Sequence, residues 1–446
     1  MHTTQIIRGE IVHFMSDPAD RAENAVEHFA DGVLVVRDGH VAELGPAHDV
    51  LAKLPADLPV TDYRGKLILP GFVDTHIHYA QTDIIASYGE QLLAWLEKYT
   101  FPTERLFADP AHAHEVAEFF CDELLKNGTT TAMTFATVHP ASVDALFEAA
   151  ERRHMRMLAG KVLMDRNCPD FLRDSADTGY ADSKALIEKW HGRKRLRYAI
   201  TPRFAPTSTD EQMTLAGRLF AEYPDVHLQS HVAENRGEVA WVAELYPDAR
   251  SYLDVYERFG QLGERAIFAH CIWLDDADRR RMAKTGTAMS FCPTSNLFLG
   301  SGLFDLDRAH ALGVRVGIGT DVGGGTSFSM LQTLNEAYKV LQLNGQQLSA
   351  ERAFYLATLG GARSLYLDEH IGNFIAGKEA DFVVLDPCAT PLLARRIANT
   401  TTLAEKLFVL MLLGDDRTVA ATHVMGACAW QSSNQRRIDG VSPPAL

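Results

Sequence analysis

The 446-residue chain has few cysteines, and none of them is placed to staple a fold or build a thiolate metal site. Cys121, Cys168, Cys271, Cys292, Cys388 and Cys428 are scattered and form no Cys-x-x-Cys pair, the spacing on which thiolate zinc sites rely. Such scatter suits reduced thiols. Positive charge is also short. Lys and Arg total 43 against 58 Asp and Glu, a formal net charge of −15, which repels a polyphosphate backbone and argues against a nucleic-acid partner. Free bases and nucleosides lack that charge density and are not excluded. Long apolar runs are missing as well. The stretch 407–413 is far shorter than the roughly 20 residues that span a bilayer, and residues 1–10 hold no apolar signal core. No membrane partner and a cytoplasmic location are expected.

Apolar residues make up 46% and charged residues 23%, enough for a large core without staples. Both ends of the chain read as β-rich. Residues 5–14 and 33–45 form apolar strands around an Asp38-Gly39 turn, and 378–386 and 418–430 repeat that texture. The middle has another rhythm. Eight apolar runs, 67–78, 129–138, 155–164, 196–204, 226–231, 265–270, 286–292 and 314–321, alternate with helical patterns such as 113–125, 142–153, 210–223 and 275–284. Alternation of this kind predicts βα units and a parallel sheet. Eight units over about 250 residues match a (β/α)8 TIM barrel better than a doubly wound sheet. The expected fold is therefore α/β. A catalytic barrel spans residues 67–367, and a small β-sandwich is built from both termini, residues 1–66 and 368–446.

The chemistry collects at the ends of these runs. The first ends Pro70-Gly-Phe-Val-Asp-Thr-His-Ile-His78. Alternate side chains in a strand share a face, so His76 and His78 point the same way and form half a metal site. Asp74 reads as a partner that orients a ligand histidine. The fifth run ends at His231, with Glu234 three residues on. The sixth ends at His270 and the eighth at Asp321. The C-terminal ends of barrel strands are where catalytic groups sit. Any one of these residues alone reads as structural; their coincidence at matching positions carries the argument. Imidazoles with one carboxylate suit Zn²⁺, with Fe²⁺ as the second choice. The glycines of Gly317-Ile-Gly-Thr-Asp-Val-Gly-Gly-Gly325 fail the phosphate-loop spacing, because Val322 takes the third glycine position. They read as tight turns beside the metal.

These pieces resemble the amidohydrolase superfamily. The matching strings are Pro70–His78, Ser230-His-Val-Ala-Glu234, Ala269-His270, Cys292-Pro-Thr-Ser-Asn296 and Gly317-Ile-Gly-Thr-Asp321. Residues 371–382 are similar to the family's return into its β domain. The resemblance implies that His76, His78, His231 and Asp321 hold the metal. It implies that Glu234, His270 and Asp321 carry the proton and charge chemistry. Binuclear members bridge two metals through a lysine after the fourth strand. Here that stretch reads Tyr198-Ala-Ile-Thr-Pro-Arg-Phe204, so one Zn²⁺ per chain is expected.

Further strings resemble the guanine-deaminating branch. They are His78-Tyr-Ala-Gln81, Trp95-Leu-Glu-Lys-Tyr-Thr-Phe-Pro102, Asn127-Gly-Thr-Thr-Thr131, Thr201-Pro-Arg-Phe204, Gln229–Asn235 and Gly414-Asp-Asp-Arg417. The resemblance implies hydrolysis of guanine by water to xanthine and ammonia, in a homodimer. Arg203 offers a donor fork that suits the O6 and N7 acceptors of guanine; a rim salt bridge is its other reading. Gln81 can read a mixed amide edge or be a loop residue, and Phe204 can stack on a purine or fill core. With these, His78, His231, Glu234 and Asp321 complete the expected substrate pocket. The rival readings are a relative acting on a triazine, an 8-oxopurine or an adenosine-like substrate, and a non-catalytic barrel. The filled ligand positions argue against the last.

Overall fold

The computed structural model describes residues 4–20, 22–55 and 57–433. Residues 1–3, read above for a leader, and 434–446, assigned above to the terminal β unit, lie outside the described residues. Four strands open the chain: β1 (Thr4–Phe14), β2 (Val26–Arg37), β3 (His40–Pro46) and β4 (Val60–Pro70). Nine follow in the middle: β5 (Phe72–His78), β6 (Thr129–Phe135), β7 (Arg156–Gly160), β8 (Val162–Leu163), β9 (Arg197–Pro202), β10 (His227–Val232), β11 (Ala266–His270), β12 (Ala288–Phe291) and β13 (Val316–Ile318). Three close it: β14 (Phe382–Leu385), β15 (Val419–Val424) and β16 (Ala427–Gln431).

The middle strands run parallel in the order β5-β6-β7-β9-β10-β11-β12-β13, with the short β8 beside β9. Each of the eight expected runs contains or overlaps one of these barrel strands, β10 running one residue past the run 226–231. The two ends of the order meet. Asp321 N donates to His76 O at 2.9 Å and His78 N donates to Val322 O at 2.8 Å, so the barrel closes at its C-terminal mouth beside the candidate ligands. Val73, Met133, Leu158, Ala199, Ile267 and Ala288 form an apolar floor inside it with Ala362, Leu365, Leu367 and Ile371. Helices such as Pro110–Lys126, Pro140–Arg152, Ala176–Trp190 and Asp210–Glu222 pack on the outward side chains. Their starts follow local chemistry. Asp109 caps Pro110–Lys126 with proline in the first turn, and Ser175 closes a capping box on Ala176–Trp190, satisfying N–H groups that a helix leaves unpaired. Among the described residues no helix is long and apolar enough to cross a membrane.

The ends of the chain share one seven-stranded sheet, β16-β15-β14-β4-β1-β2-β3. It bends back on itself. Ala380 N donates to Gly39 O and Gly426 N to Ala380 O, both at 2.8 Å, and Ile11, Leu34, Val41, Ile68, Phe382 and Ala421 meet in one core. The Asp38-Gly39 and Met425-Gly426 turns have positive φ at both residues, the backbone twist that two-residue hairpins require.

Two expectations are corrected. The run 67–78 is two strands, because Gly71 breaks it. Gly71 N donates to Asp381 O at 3.0 Å, and a Cβ there would meet Thr130 Oγ1 at 2.2 Å. Strand β4 also begins earlier than read, since its first residues, Val60–Tyr63, look polar and loop-like in the sequence.

Candidate active site

The site is built on strand ends. A register shift on β5 between Asp74 and Ile77 adds one residue to the strand, as a bulge does, and slips the alternation of faces. Val73 then points into the barrel floor, while His76 and His78 point into its mouth. Asp74 therefore does not share their face. Its carboxylate accepts from His76 N at 3.2 Å and from Thr320 N at 3.1 Å, and takes the Thr320 hydroxyl as well. It pins the β5 and β13 backbones together; the reading of Asp74 as a partner of a ligand imidazole is replaced. Burial pushes its carboxyl up to about 7.

Four donor groups converge. His78 Nε2 lies 3.2 Å from both His76 Nε2 and His231 Nε2. Asp321 Oδ1 lies 3.2 Å from His76 Nε2 and 3.4 Å from His78 Nε2. Donors about 2.0–2.1 Å from a tetrahedral zinc stand about 3.3 Å apart, so this spacing fits one ion. The tautomer of His231 agrees. His231 Nδ1 meets Arg203 O at 2.7 Å. A carbonyl only accepts, so Nδ1 carries the proton and Nε2 presents its lone pair. Burial holds His78 and His231 well below the usual imidazole range, followed by repulsion from neighbouring rings. Neutral imidazoles with convergent lone pairs are metal ligands in waiting. Phe135 packs against three of the rings, with centroids 4.5 Å from His78, 4.6 Å from His231 and 5.1 Å from His76, a dry wall on one side of the site.

The other two titrating groups face this cluster. His270 Nε2 is 3.3 Å from Glu234 Oε2 and 3.8 Å from Asp321 Oδ2, and its Nδ1 meets Asn296 Oδ1 at 2.9 Å. Burial opposes its charge, but the Glu234 and Asp321 carboxylates outweigh burial and hold it above the usual imidazole range. Glu234 accepts from Ser301 Oγ at 2.9 Å, and burial pushes its carboxyl up to about 7. For Asp321 burial works against ionisation, yet His76, His270 and His78 hold it far below the carboxylate range. One acid stays ionised, and the other is poised to gain or lose a proton at neutral pH. His270 and Asp321 both have left-handed backbone, φ 72° and 52°. Non-glycine residues hold that conformation at a cost of order 1–3 kcal/mol, typically where function needs the side chain re-aimed. The glycine reading holds as well, since a Cβ on Gly325 would sit 1.8 Å from Thr320 O.

Above the cluster is a cavity. Gln81, Arg203, Phe204, Glu234 and His270 line it beside the donor groups, with an apolar side from Leu92, Trp95, Leu96 and Leu299. All nine expected site residues border this cavity or its donor cluster. The stretch between β5 and helix Pro110–Lys126 folds into short helical turns, including Leu92–Trp95 and Phe101–Glu104, and forms the roof. Two features were not read from the sequence. Cys292 Sγ lies within 4.8 Å of donor atoms of His76 and Asp321, but burial keeps its thiol protonated. Glu104, also missed, is buried against Arg203 at 2.8 Å. Its signal was nearby, two residues past the Trp95–Pro102 string.

Residues 67–428 match the family model described as the amidohydrolase family. The chain belongs to the amidohydrolase family. As an amidohydrolase it is a metal-dependent hydrolase on a TIM-like barrel. It is 55% identical to the guanine deaminase of Escherichia coli (strain K12), over 96% of this chain and 98% of that one. The solved E. coli guanine deaminase superposes with a TM-score of 0.94, covering 96% of this amidohydrolase and 99% of that chain. A guanine deaminase from C. acetobutylicum, solved with guanine in its active site, is 29% identical with a TM-score of 0.87, over 96% of this chain and all (100%) of that one.

Proposed function

We propose that this amidohydrolase deaminates guanine, converting guanine and water to xanthine and ammonia. The observation that carries the reading is one cavity in which the donor cluster, a proton-carrying acid and an arginine–glutamine pair meet. The high identity to guanine deaminases over nearly the full chain supports it.

His76, His78, His231 and Asp321 would hold one Zn²⁺, with Fe²⁺ as the second choice. Zinc there would lower the pKa of a water from about 16 to about 7, so hydroxide is at hand at neutral pH. The chain's own groups do the rest. Asp321 takes the proton of the attacking water. Glu234, near its midpoint at neutral pH, delivers a proton to ring N3, so C2 becomes tetrahedral without a full negative charge on the ring. His270, whose hold on a proton the Glu234 and Asp321 carboxylates strengthen, donates to the oxygen that attacks and steadies the charge built there. The proton held by Asp321 goes to the departing amine, the C2–N bond breaks and ammonia leaves, while the C2 hydroxyl returns its proton to Glu234 as the carbonyl of xanthine forms. Arg203 and Gln81 read the oxo-bearing edge of the base, and Phe204 covers its face. Among the described residues, 71–367 form the catalytic unit on this reading and 4–70 with 368–433 form the terminal β unit, β4 belonging to the latter, and two chains pair as a homodimer in the cytoplasm.

The test is ammonia release from guanine, adenine, cytosine, 8-oxoguanine and a triazine, with and without chelator. Guanine is expected to be turned over far faster than the rest, and only in the metal-loaded protein. Activity confined to another substrate overturns the guanine reading and spares the hydrolase.

A further inference from the structure

We propose that Glu104 sets substrate specificity without touching the substrate, by holding Arg203 and Gln81 in one register against the oxo-bearing edge of the purine. The inference rests on the guanine reading above and deepens it.

Glu104 ends the turn Phe101–Glu104 and is 1% exposed. It stands behind the cavity wall. Both its oxygens accept from a single nitrogen, Arg203 Nη1, at 2.9 and 2.8 Å. A guanidinium carries five N–H donors, two of them on Nη1. Among the described residues no hydrogen bond engages Nε or Nη2, so three donors of Arg203 remain for what enters the cavity that it lines. The Phe101 ring, 5.4 Å from the guanidinium carbon, closes another side. The same carboxylate reaches the second reader: Gln81 Nε2 points at Glu104 Oε1 from 3.5 Å, while Gln81 Oε1 accepts from Gly323 N at 3.3 Å. One acid thus fixes the rotation of an amide and of a guanidinium together. Gln81 presents its amide in a fixed sense, and Arg203, its Nη1 committed to Glu104, lines the cavity with its Nε and Nη2 donors uncommitted.

Stability alone does not account for the pair. Burial lifts the Glu104 carboxyl above its usual range even with Arg203 beside it, and a buried ion pair is commonly no more stable than apolar residues of the same volume. Neutrality has a use here. An uncompensated guanidinium would favour anionic ligands over an uncharged base. The backbone of Arg203 is held separately, by His231 Nδ1 and Ser230 Oγ on its carbonyl, so loss of Glu104 frees the recognition side chain and leaves the donor cluster in place.

The experiment measures kcat and KM for guanine and for 2-aminopurine, which keeps the C2 amine and lacks the 6-oxo group. It uses the zinc-loaded full chain as wild type, Glu104→Gln and Glu104→Asp, with the melting midpoint of each. Glu104→Gln is expected to raise the guanine KM about 10²-fold, the worth of a charge-assisted hydrogen-bond pair, and to change kcat less than about 5-fold. The preference for guanine over 2-aminopurine falls by the same factor, and Glu104→Asp restores part of it. Equal losses on both substrates, or an unchanged KM and preference, overturn the inference. If Glu104→Gln does not fold, the preference of Glu104→Asp decides by the same criterion. A wild type that binds guanine in equilibrium dialysis but releases no ammonia refutes the functional reading alone, and the Kd ratio then tests Glu104. A wild type that neither binds nor deaminates guanine overturns both.

Discussion

Replacing Glu234 by Gln removes a proton and almost nothing else. The Gln carbonyl can still accept from Ser301 Oγ, which donates to Glu234 Oε1 at 2.9 Å. The donor cluster is untouched, because Glu234 faces it across His270, 3.3 Å away. Lost is an acid that burial has pushed to about 7, where both protonation states are populated at neutral pH. A positioned general acid–base is worth about 10²–10⁴ in rate, or about 3–5 kcal/mol of barrier. One effect propagates. Glu234 is the larger of the two carboxylate influences holding His270 above its usual range, so the variant's imidazole loses part of its charge and the defect falls toward the upper end. The assay is steady-state formation of xanthine with metal content measured on the same samples. Expected are one equivalent of zinc, a guanine KM within a few-fold of wild type and kcat down by at least about 10². A kcat within about 3-fold of wild type refutes the proton-carrying role. Loss of zinc along with activity would move Glu234 into the donor set.

Other outcomes follow from the same geometry. Arg203→Ala should cut kcat/KM on guanine by at least about 10², mostly through KM, because a site built on buried polar contacts discriminates strongly; unchanged steady-state kinetics remove Arg203 from recognition. Glu379 joins the barrel to the terminal sheet, with Arg195 Nη2 2.7 Å and Arg156 Nε 3.1 Å away. Glu379→Ala leaves two buried guanidinium groups without that partner, which should cost about 3–5 kcal/mol; calorimetry that finds the melting midpoint within a degree of wild type contradicts this. His423 sits buried between Tyr63 and Gly426 O, and burial lowers its pKa to about 4. Its folded pKa lies below the unfolded value of about 6.5, so the unfolded chain takes up the proton first as pH falls. Its neutral form costs nothing above about pH 6.5, and up to about 3 kcal/mol of stability is lost by pH 4. The midpoint measured against pH should fall over that window, and His423→Gln should flatten the fall. An unaltered slope in that variant counts against a buried neutral ring.

The barrel was legible because each strand is an apolar run between helical patterns, and parallel strands covered on both faces need that composition. The ligands were legible for a related reason: His76, His231, His270 and Asp321 interrupt apolar runs where polarity has no packing use. The bulge on β5 was hidden, since an extra residue leaves no mark in composition, and with it went the true role of Asp74, which bonds backbone rather than imidazole. Glu104 was hidden for another reason. It lies 99 residues from Arg203 in a roof of short turns, and a lone glutamate after Phe101-Pro102-Thr103 looks solvated until the fold buries it. Strand β4 was partly missed because its first half is exposed and so lacks an apolar signature.

The central claim is that four strand-end side chains hold a metal that this chain uses to deaminate guanine. It is tested most directly by incubating guanine with protein stripped by chelator and with the same protein restored with one equivalent of Zn²⁺, quantifying xanthine and ammonia together. The account predicts equimolar products from the restored protein and none from the stripped one. Turnover that survives metal removal, or a restored protein that leaves guanine intact, would contradict it.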